Sequence, residues 1–203
     1  MNSVDRLYAE EIAGLVIDAD GNQSESLPKK PLVLAGSFNP IHRGHKDLLS
    51  AAMAMTGDNG YYEISIRNVD KPLLLKTELG KRSEQVLKNG KSLILTSAPR
   101  FTEKSSILPG ATFVIGFDTC VRLFDETYYP DHAVGSEAAV DNSLDLIEQN
   151  GCKFIVAGRI NSRGEFQDLS DVSVPQRFRN MFRELTESQF RSDLSSTEMR
   201  ERF

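Results

Sequence analysis

A short apolar run that ends in a glycine-containing loop, and is followed by a helical segment, constrains this chain most. The run is LVLA at residues 32–35, and it stops at Gly36. An unbroken apolar run of this length is typical of a strand buried on both faces, as inside a parallel sheet. After the loop, apolar residues recur with helical spacing over residues 48–53. The stretch 31–50 therefore predicts a strand, a loop and a helix in succession.

The same alternation of strands and helices continues along the chain. Further strands are predicted at residues 61–67, 92–96, 111–115 and 153–157. Helical segments are predicted at residues 76–89, 100–108, 119–124, 133–149 and 176–182. This order predicts an α/β fold, a Rossmann-like parallel sheet of about five strands with helices on both faces. Loops that follow the strands should then converge at one edge of the sheet, where such folds bind ligands.

The N-terminal segment has a different pattern from the rest. Apolar residues recur with helical spacing over residues 3–15, and a polar stretch occupies residues 18–26. We expect residues 1–28 to form an N-terminal helix and linker, and residues 29–203 to form one domain.

The loop at 36–45 has the chemistry of an anion site. A helix N-terminus presents free N–H groups, and Gly36 lets a phosphate approach the backbone. His42 and His45, three residues apart at the helix entry, can point the same way and donate ring N–H groups. A surface turn with two solvated histidines is the alternative. The preceding strand and the following helix favour the site.

A second phosphate signature lies near the end of the sequence. Ser196 and Thr197 supply hydroxyls at a predicted helix start, and Arg200 follows about one turn later. Hydroxyls, N–H groups and a guanidinium are suited to phosphate oxygens. A capped C-terminal helix without a ligand would also explain the pattern.

Composition narrows the function classes. The net charge of −5 and pI near 5.3 argue against a nucleic-acid partner, which needs a basic face. The two cysteines form neither a metal-ligand spacing nor a disulfide framework, so we expect buried thiols and a cytoplasmic protein. No apolar run is long enough to span a membrane, and the acidic N-terminus does not resemble a signal peptide. The sequence leaves the oligomeric state open, including a homo-oligomer.

Together, GSFNPIHRGH at residues 36–45 and LSSTEMR at residues 194–200 resemble the nucleotidylyltransferase superfamily. Within it, the chain is most similar to nicotinamide mononucleotide adenylyltransferases and cytidylyltransferase-like proteins. The segments NVDKP at 68–72, FVIGFDT at 113–119 and FIVAGR at 154–159 add to this resemblance, which spans about residues 31–203.

The resemblance implies transfer of AMP from ATP to a phosphomonoester acceptor. Nicotinamide mononucleotide is the expected acceptor, giving NAD and pyrophosphate, with Mg²⁺ accompanying ATP and no protein metal site. By match to the family motifs, the catalytic residues are His42, His45 and Arg200. The implied ATP-binding residues are Gly36, Ser37, Phe38, Ser196 and Thr197. The implied acceptor-binding residues are Lys71, Asp118 and Arg159.

Three alternatives remain open at this point. The acceptor can be another phosphomonoester, such as phosphopantetheine, phosphocholine or phosphoethanolamine, with ATP or CTP as donor. The chain can also be a nucleotide-binding sensor without turnover. A class I aminoacyl-tRNA synthetase fragment is disfavoured, because no KMSKS-like loop is present.

The better-known nicotinamide mononucleotide adenylyltransferases stack the nicotinamide ring on a tryptophan, which this chain lacks. The candidate replacements are Tyr128, Tyr129, Phe117 and Phe124.

Overall fold

A computed structural model describes residues 2–69, 71–128 and 136–191, with only the backbone of residues 136 and 137. The helices are α1 Ser3–Tyr8, α2 Arg43–Thr56, α3 Lys76–Leu87, α4 Phe101–Ile107, α5 Phe117–Leu123 and α6 Ser136–Gln149. The strands are β1 Gly14–Ile17, β2 Gln23–Ser24, β3 Leu32–Ala35, β4 Gly60–Ser65, β5 Leu93–Thr96, β6 Thr112–Gly116, β7 Lys153–Ala157, β8 Arg159–Ile160, β9 Phe166–Gln167 and β10 Phe182–Leu185.

The predicted α/β class and the parallel sheet are confirmed. The described part of the main sheet has the strand order β10-β7-β6-β3-β4-β5-β1-β2. The five predicted strands are its centre, β3 to β7, and they pair in parallel with one another. The chain runs outward from β3 in one direction and restarts at β6 in the other. The boundary between β3 and β6 is therefore the topological switch point, where ligands bind in open α/β sheets.

Helices cover both faces of this sheet, as predicted. Alternate residues of a strand point to opposite faces, so Leu32 and Leu34 pack on one side and Val33 on the other. The first side is covered by α1, α2 and α3, and the second by α4, α5 and α6. Cys120 and Cys152 are free and buried in the second core, and burial raises the pKa of Cys120 to about 12. The prediction of buried thiols is confirmed.

The sheet is wider than predicted because both ends of the domain add strands. The helix predicted over residues 3–15 ends at Tyr8, and β1 then pairs antiparallel with β5. The helical prediction was wrong beyond Tyr8, and its last two residues, 14 and 15, belong to β1, where the consecutive Leu15, Val16 and Ile17 favour a strand. The division at residue 28 stays a prediction, although β1 and β2 share the main sheet with the rest of the chain.

The C-terminal part differs from its prediction in a similar way. The segment predicted as a helix at 176–182 is a 3₁₀ helix over Gln176–Met181, and the strand β10 follows. β10 pairs in parallel with β7 and buries Phe182 and Leu185. Across the described residues, no helix has both the length and the apolar character that a membrane span requires.

Candidate active site

The segment 36–45 runs from the end of β3 through a loop into the first turn of α2; it lies at the switch point and is called the histidine loop below. It starts where β3 ends, and the Gly36 N–H donates to the Glu63 carbonyl oxygen over 3.0 Å. A Cβ at Gly36 would lie 2.8 Å from the Phe38 ring, which is closer than van der Waals contact. The absence of a side chain at Gly36 thus lets the loop fold back over Phe38.

The two histidines are held together at the start of α2. His42 is the residue before the helix, and its backbone N–H donates to His45 Nδ1 over 3.2 Å. Their rings stack with centroids 3.7 Å apart and an interplanar angle of 26°. The prediction that both histidines can point the same way agrees with this arrangement, in which His42 is buried and His45 is partly buried.

Burial keeps both imidazoles neutral. Desolvation lowers the pKa of His42, and desolvation together with the neighbouring His42 lowers the pKa of His45 to about 3. A neutral imidazole carries one proton, and His45 Nδ1 is already a hydrogen-bond acceptor. The proton of His45 is therefore on Nε2, which leaves that nitrogen as a donor for a ligand.

The histidine loop is supported from beneath by packed rings. Phe38 is buried and has a positive φ of 43°, a conformation that non-glycine residues rarely adopt. Its ring makes edge contacts with His45 and with Tyr62, both at a centroid distance of 5.0 Å. Phe38 was predicted to bind ATP, which stays a prediction; the structure adds that its side chain supports the His45 ring.

Helix α3 braces the same loop from the side. Arg82 Nη1 donates to the Ser37 carbonyl oxygen over 3.0 Å, and the Ile41 N–H donates to Gln85 Oε1 over 3.2 Å. Arg82 and Gln85 are almost one helical turn apart, so they share a face of α3. Sequence reasoning missed both residues, because nothing in the pattern of residues 76–89 distinguishes them from solvated side chains.

A cavity of about 300 Å³ opens beside the histidine loop. Its walls come from the histidine loop, the segment after β4, the segment after β5 with the start of α4, and α5 with the turn that follows. The lining residues are Ser37, Asn68, Val69, Lys71, Pro99, Arg100, Phe101, Thr102, Thr119, Arg122, Leu123, Tyr128 and Ile147. The volume is at the lower end of the range for small-molecule sites.

Three of these lining residues are cations, and no carboxylate is among the lining residues that the structure describes. They are Lys71, Arg100 and Arg122, and we call the space the cation-lined cavity. Arg100 also contacts the Tyr128 carbonyl and Glu103, each at 3.4 Å. The Arg122 guanidinium lies 5.7 Å from the Tyr128 ring centroid, within cation–π range. The cavity is therefore locally positive in a chain whose net charge is −5.

The predicted acceptor residues fall into two groups. Lys71 lines the cation-lined cavity together with Ser37 from the histidine loop. Asp118, in the first turn of α5, and Arg159, the first residue of β8, follow the adjacent strands β6 and β7. They form an ion pair with each other and are not among the lining residues. Their acceptor roles stay predictions. Ser196, Thr197 and Arg200 lie outside the described residues.

The aromatic candidates for stacking are also separated by the structure. Tyr128 lines the cavity, as does Phe101, which was not predicted. Phe117 is buried in the core, and Phe124 packs on Phe182 with ring centroids 5.5 Å apart. Tyr129 lies outside the described residues.

Arg100 and Arg122 were missed as candidates at the sequence level. For Arg100 a signal existed, because it follows a predicted strand by a few residues and so belongs to the ligand-binding edge. Arg122 carried no such signal, because its position in the cavity depends on how α5 packs after β6.

A resident metal site is not formed by the side chains described. Within residues 2–69, 71–128 and 136–191, no three side chains of the His, Cys, Asp and Glu types come together as metal ligands would. The described cavity lining has hydroxyl and amide oxygens but no carboxylate, whereas Mg²⁺ in proteins is usually bound through one or two carboxylates.

Comparison with known proteins agrees with the sequence and the fold. A family model described as cytidylyltransferase-like matches residues 33–202. A protein of Gloeobacter violaceus, described as a probable nicotinate-nucleotide adenylyltransferase, is 30% identical over 184 residues, which cover 83% of this chain and 81% of the relative. The model match spans both phosphate signatures and, from residue 33 onward, the central strands β3 to β7, but not β1 or β2. The chain therefore belongs to the cytidylyltransferase-like family and is a nucleotidylyltransferase.

Proposed function

We propose that the enzyme transfers AMP from ATP to a pyridine mononucleotide, releasing pyrophosphate and forming a dinucleotide. Nicotinamide mononucleotide, with NAD as product, is the acceptor that the sequence resemblance names. The observation that carries the proposal is the cation-lined cavity beside the histidine loop. Its three cations suit a phosphomonoester, and Tyr128 and Phe101 offer flat faces to an aromatic ring. Neither phosphocholine nor phosphopantetheine has an aromatic ring that could stack on these two side chains.

In the proposed reaction, a phosphate oxygen of the acceptor attacks the α-phosphorus of ATP. The bond from that phosphorus to the bridging oxygen breaks, and both of its electrons leave with pyrophosphate. The second pKa of a phosphomonoester is about 6, so the nucleophile is already ionised at pH 7. No side chain has to remove a proton, which is consistent with a site built from donors and cations.

The histidines act as neutral hydrogen-bond donors in this scheme. His45 directs its Nε2 proton toward the α-phosphate, where charge develops as the new bond forms. A donor fixed in place by Phe38 and by the His42 N–H needs little reorganisation during the reaction. His42 donates to the remaining triphosphate oxygens, and the N–H groups at the start of α2 support the same anion.

The remaining roles follow the family match. Gly36 and Ser37 let the nucleotide approach the backbone, and Ser196, Thr197 and Arg200 hold the β- and γ-phosphates as pyrophosphate leaves. Lys71 holds the acceptor phosphate, and Arg100, assigned here from its place in the cavity wall and not from the family match, holds the same phosphate. Mg²⁺ enters with ATP as part of the substrate and shields triphosphate charge.

The experiment is pyrophosphate release by the full chain with ATP or CTP against a panel of acceptors. The panel contains nicotinamide mononucleotide, nicotinate mononucleotide, phosphopantetheine, phosphocholine and phosphoethanolamine. We expect ATP with a pyridine mononucleotide to give the highest kcat/KM by at least about tenfold, because only these acceptors use the aromatic faces. A higher value for a ring-free acceptor contradicts the proposal, and nucleotide binding without pyrophosphate release supports the sensor alternative.

Nicotinate mononucleotide is the second candidate acceptor, favoured by two specific observations. The Gloeobacter violaceus relative is described as a probable nicotinate-nucleotide adenylyltransferase. The cavity also has three cations, more than one phosphate requires, and a nicotinate carboxylate would pair with the third. The ratio of kcat/KM for the two pyridine mononucleotides decides between them.

A further inference from the structure

A buried polar cluster joins three elements, β4, β5 and α4, whose ends adjoin or contribute to the lining of the cation-lined cavity. Glu63 of β4 and Lys104 of α4 are 1% and 6% exposed, and Lys104 Nζ lies 2.6 Å from Glu63 Oε1. The Thr96 hydroxyl of β5 donates to the same oxygen over 2.6 Å. We call these three residues the Glu63 cluster. It shares no residue with the cavity lining, and no family motif quoted above contains it.

The Glu63 cluster is a costly way to stabilise a core. Removing two charges from water is unfavourable, and their attraction offsets this only when the remaining lone pairs and protons are also satisfied. Glu63 Oε2 is buried and accepts no hydrogen bond from the described residues. Apolar side chains of similar volume would fill the same space at no electrostatic cost. A role in orienting neighbouring elements explains the cluster better than a role in stability.

The cluster ties together three walls of the cavity. Its members belong to β4, β5 and α4, and the cavity is lined by the segments that follow β4 and β5 and by the first turn of α4. Glu63 also touches the histidine loop, since its carbonyl oxygen accepts the Gly36 N–H.

Lys104 has a direct connection to one of the lining cations. Its backbone N–H donates to the Arg100 carbonyl oxygen over 2.9 Å, within the first turn of α4. Arg100 is the residue before this helix, and it lines the cavity, where its guanidinium contacts the carbonyl of another lining residue, Tyr128. The position of the Lys104 ammonium on Glu63 therefore fixes the rotation of α4 and the starting point of the Arg100 side chain.

We propose that Glu63, Thr96 and Lys104 form a positioning cluster that holds Arg100 at the wall of the acceptor cavity. The inference rests on the proposed function of that cavity, because Arg100 is assigned there to the acceptor phosphate. The cluster touches no substrate. It acts through the orientation of α4, so its removal should weaken acceptor binding and leave ATP binding intact.

The test is the double variant Glu63→Leu/Lys104→Met, which removes both charges and fills the same space with apolar side chains of similar size. We expect a melting temperature within a few degrees of wild type, because such replacements of buried pairs are often neutral or stabilising. The acceptor KM should rise at least about fivefold, with the ATP KM changed by less than about twofold. The matched control is Glu84→Leu/Lys88→Met, a pair on α3 whose side chains are 64% and 72% exposed, and it should change neither KM.

A double-mutant cycle with Arg100→Ala distinguishes an effect that passes through Arg100 from a general loss of rigidity in the cavity walls. If the Glu63 cluster acts through Arg100, adding Glu63→Leu/Lys104→Met to Arg100→Ala should not raise the acceptor KM further, since the effects of coupled residues are not additive. Full additivity of the two effects overturns the proposal, as does an unchanged acceptor KM in a folded double variant. If the double variant does not fold, Thr96→Val keeps both charges and removes the hydroxyl, which donates to Glu63 and also accepts the Ala98 N–H over 3.3 Å. That variant should raise the acceptor KM about two- to threefold, and an unchanged value overturns the proposal.

These outcomes are distinct from failure of the proposed function. The KM values are measured with whichever phosphomonoester the wild-type chain turns over fastest. If that acceptor is not a pyridine mononucleotide, the choice of acceptor is wrong, and the cycle with Arg100 still tests the cluster.

Discussion

The two sides of the candidate site are built in different ways. The histidine loop is one continuous segment, and its rings are packed on each other and on Tyr62. The cation-lined cavity is collected from segments after β3, β4, β5 and β6, and Lys71 and Arg122 are exposed. The packed side can hold a transition state with little reorganisation, whereas the open side can differ between enzymes that use different acceptors.

The largest expected effect is on the packed side. His45→Ala should lower kcat by about 100-fold or more, the cost of removing one preorganised donor from a developing charge. Arg43→Ala is the matched control, because Arg43 lies two residues before His45 and its side chain is 85% exposed. Steady-state pyrophosphate release measures both variants. A loss of less than about threefold for His45→Ala would contradict the donor role.

The next effect belongs to the open side and should have a different signature. Lys71→Met should raise the acceptor KM about tenfold, the value of one charge-assisted contact, and leave the ATP KM within about twofold. Lys81→Met is a control on α3, where the ammonium pairs with Glu78 and is 70% exposed. If both KM values rise together for Lys71→Met, the two sides do not bind separate substrates.

The same contrast explains what the sequence could predict. The histidine loop is contiguous, so GSFNPIHRGH shows its glycine, its histidines and the following helix together. The five central strands were predictable because each is a short apolar run flanked by turn residues. Strand β1 was missed because Leu15 also fits the helical spacing of the residues before it, and pairing with β5 decided the outcome.

The cavity could be predicted only in part, because its residues are distant in sequence. Lys71 was found through the NVDKP segment, whereas Arg122 reaches the cavity through the packing of α5. Glu63 has the sequence pattern of an ordinary strand residue, and only the fold shows that it meets Lys104, 41 residues later. Tertiary contacts of this kind leave no local pattern.

A third prediction tests how tightly the histidine loop is packed. Gly36→Ala places a Cβ 2.8 Å from the Phe38 ring, which cannot move freely because His45 and Tyr62 contact it. We expect a loss of about 1–3 kcal/mol in the free energy of unfolding, the usual cost of overpacking. Gly80→Ala is the matched control in α3, where no atom lies within 4 Å of the new Cβ. It should stabilise the chain by about 0.5–1 kcal/mol. Urea denaturation measures both changes, and equal effects would mean that the loop is not tightly packed.

The smallest expected effect is the pH dependence of stability that the buried His45 contributes. Its pKa is lowered from 6.5 to about 3 on folding, so the unfolded chain binds the proton more tightly. The free energy of unfolding should therefore be highest above pH 6.5 and decrease as the pH falls below that value. Partial exposure reduces the effect, and we expect His45 to account for about 1 kcal/mol of the decrease between pH 7 and 5. Comparing urea denaturation of wild type and His45→Gln at both values isolates this contribution. A decrease of the same size in His45→Gln would mean that the pKa of His45 hardly changes on folding. The histidine loop would then exclude water from His45 no better than the open cavity does from its own side chains.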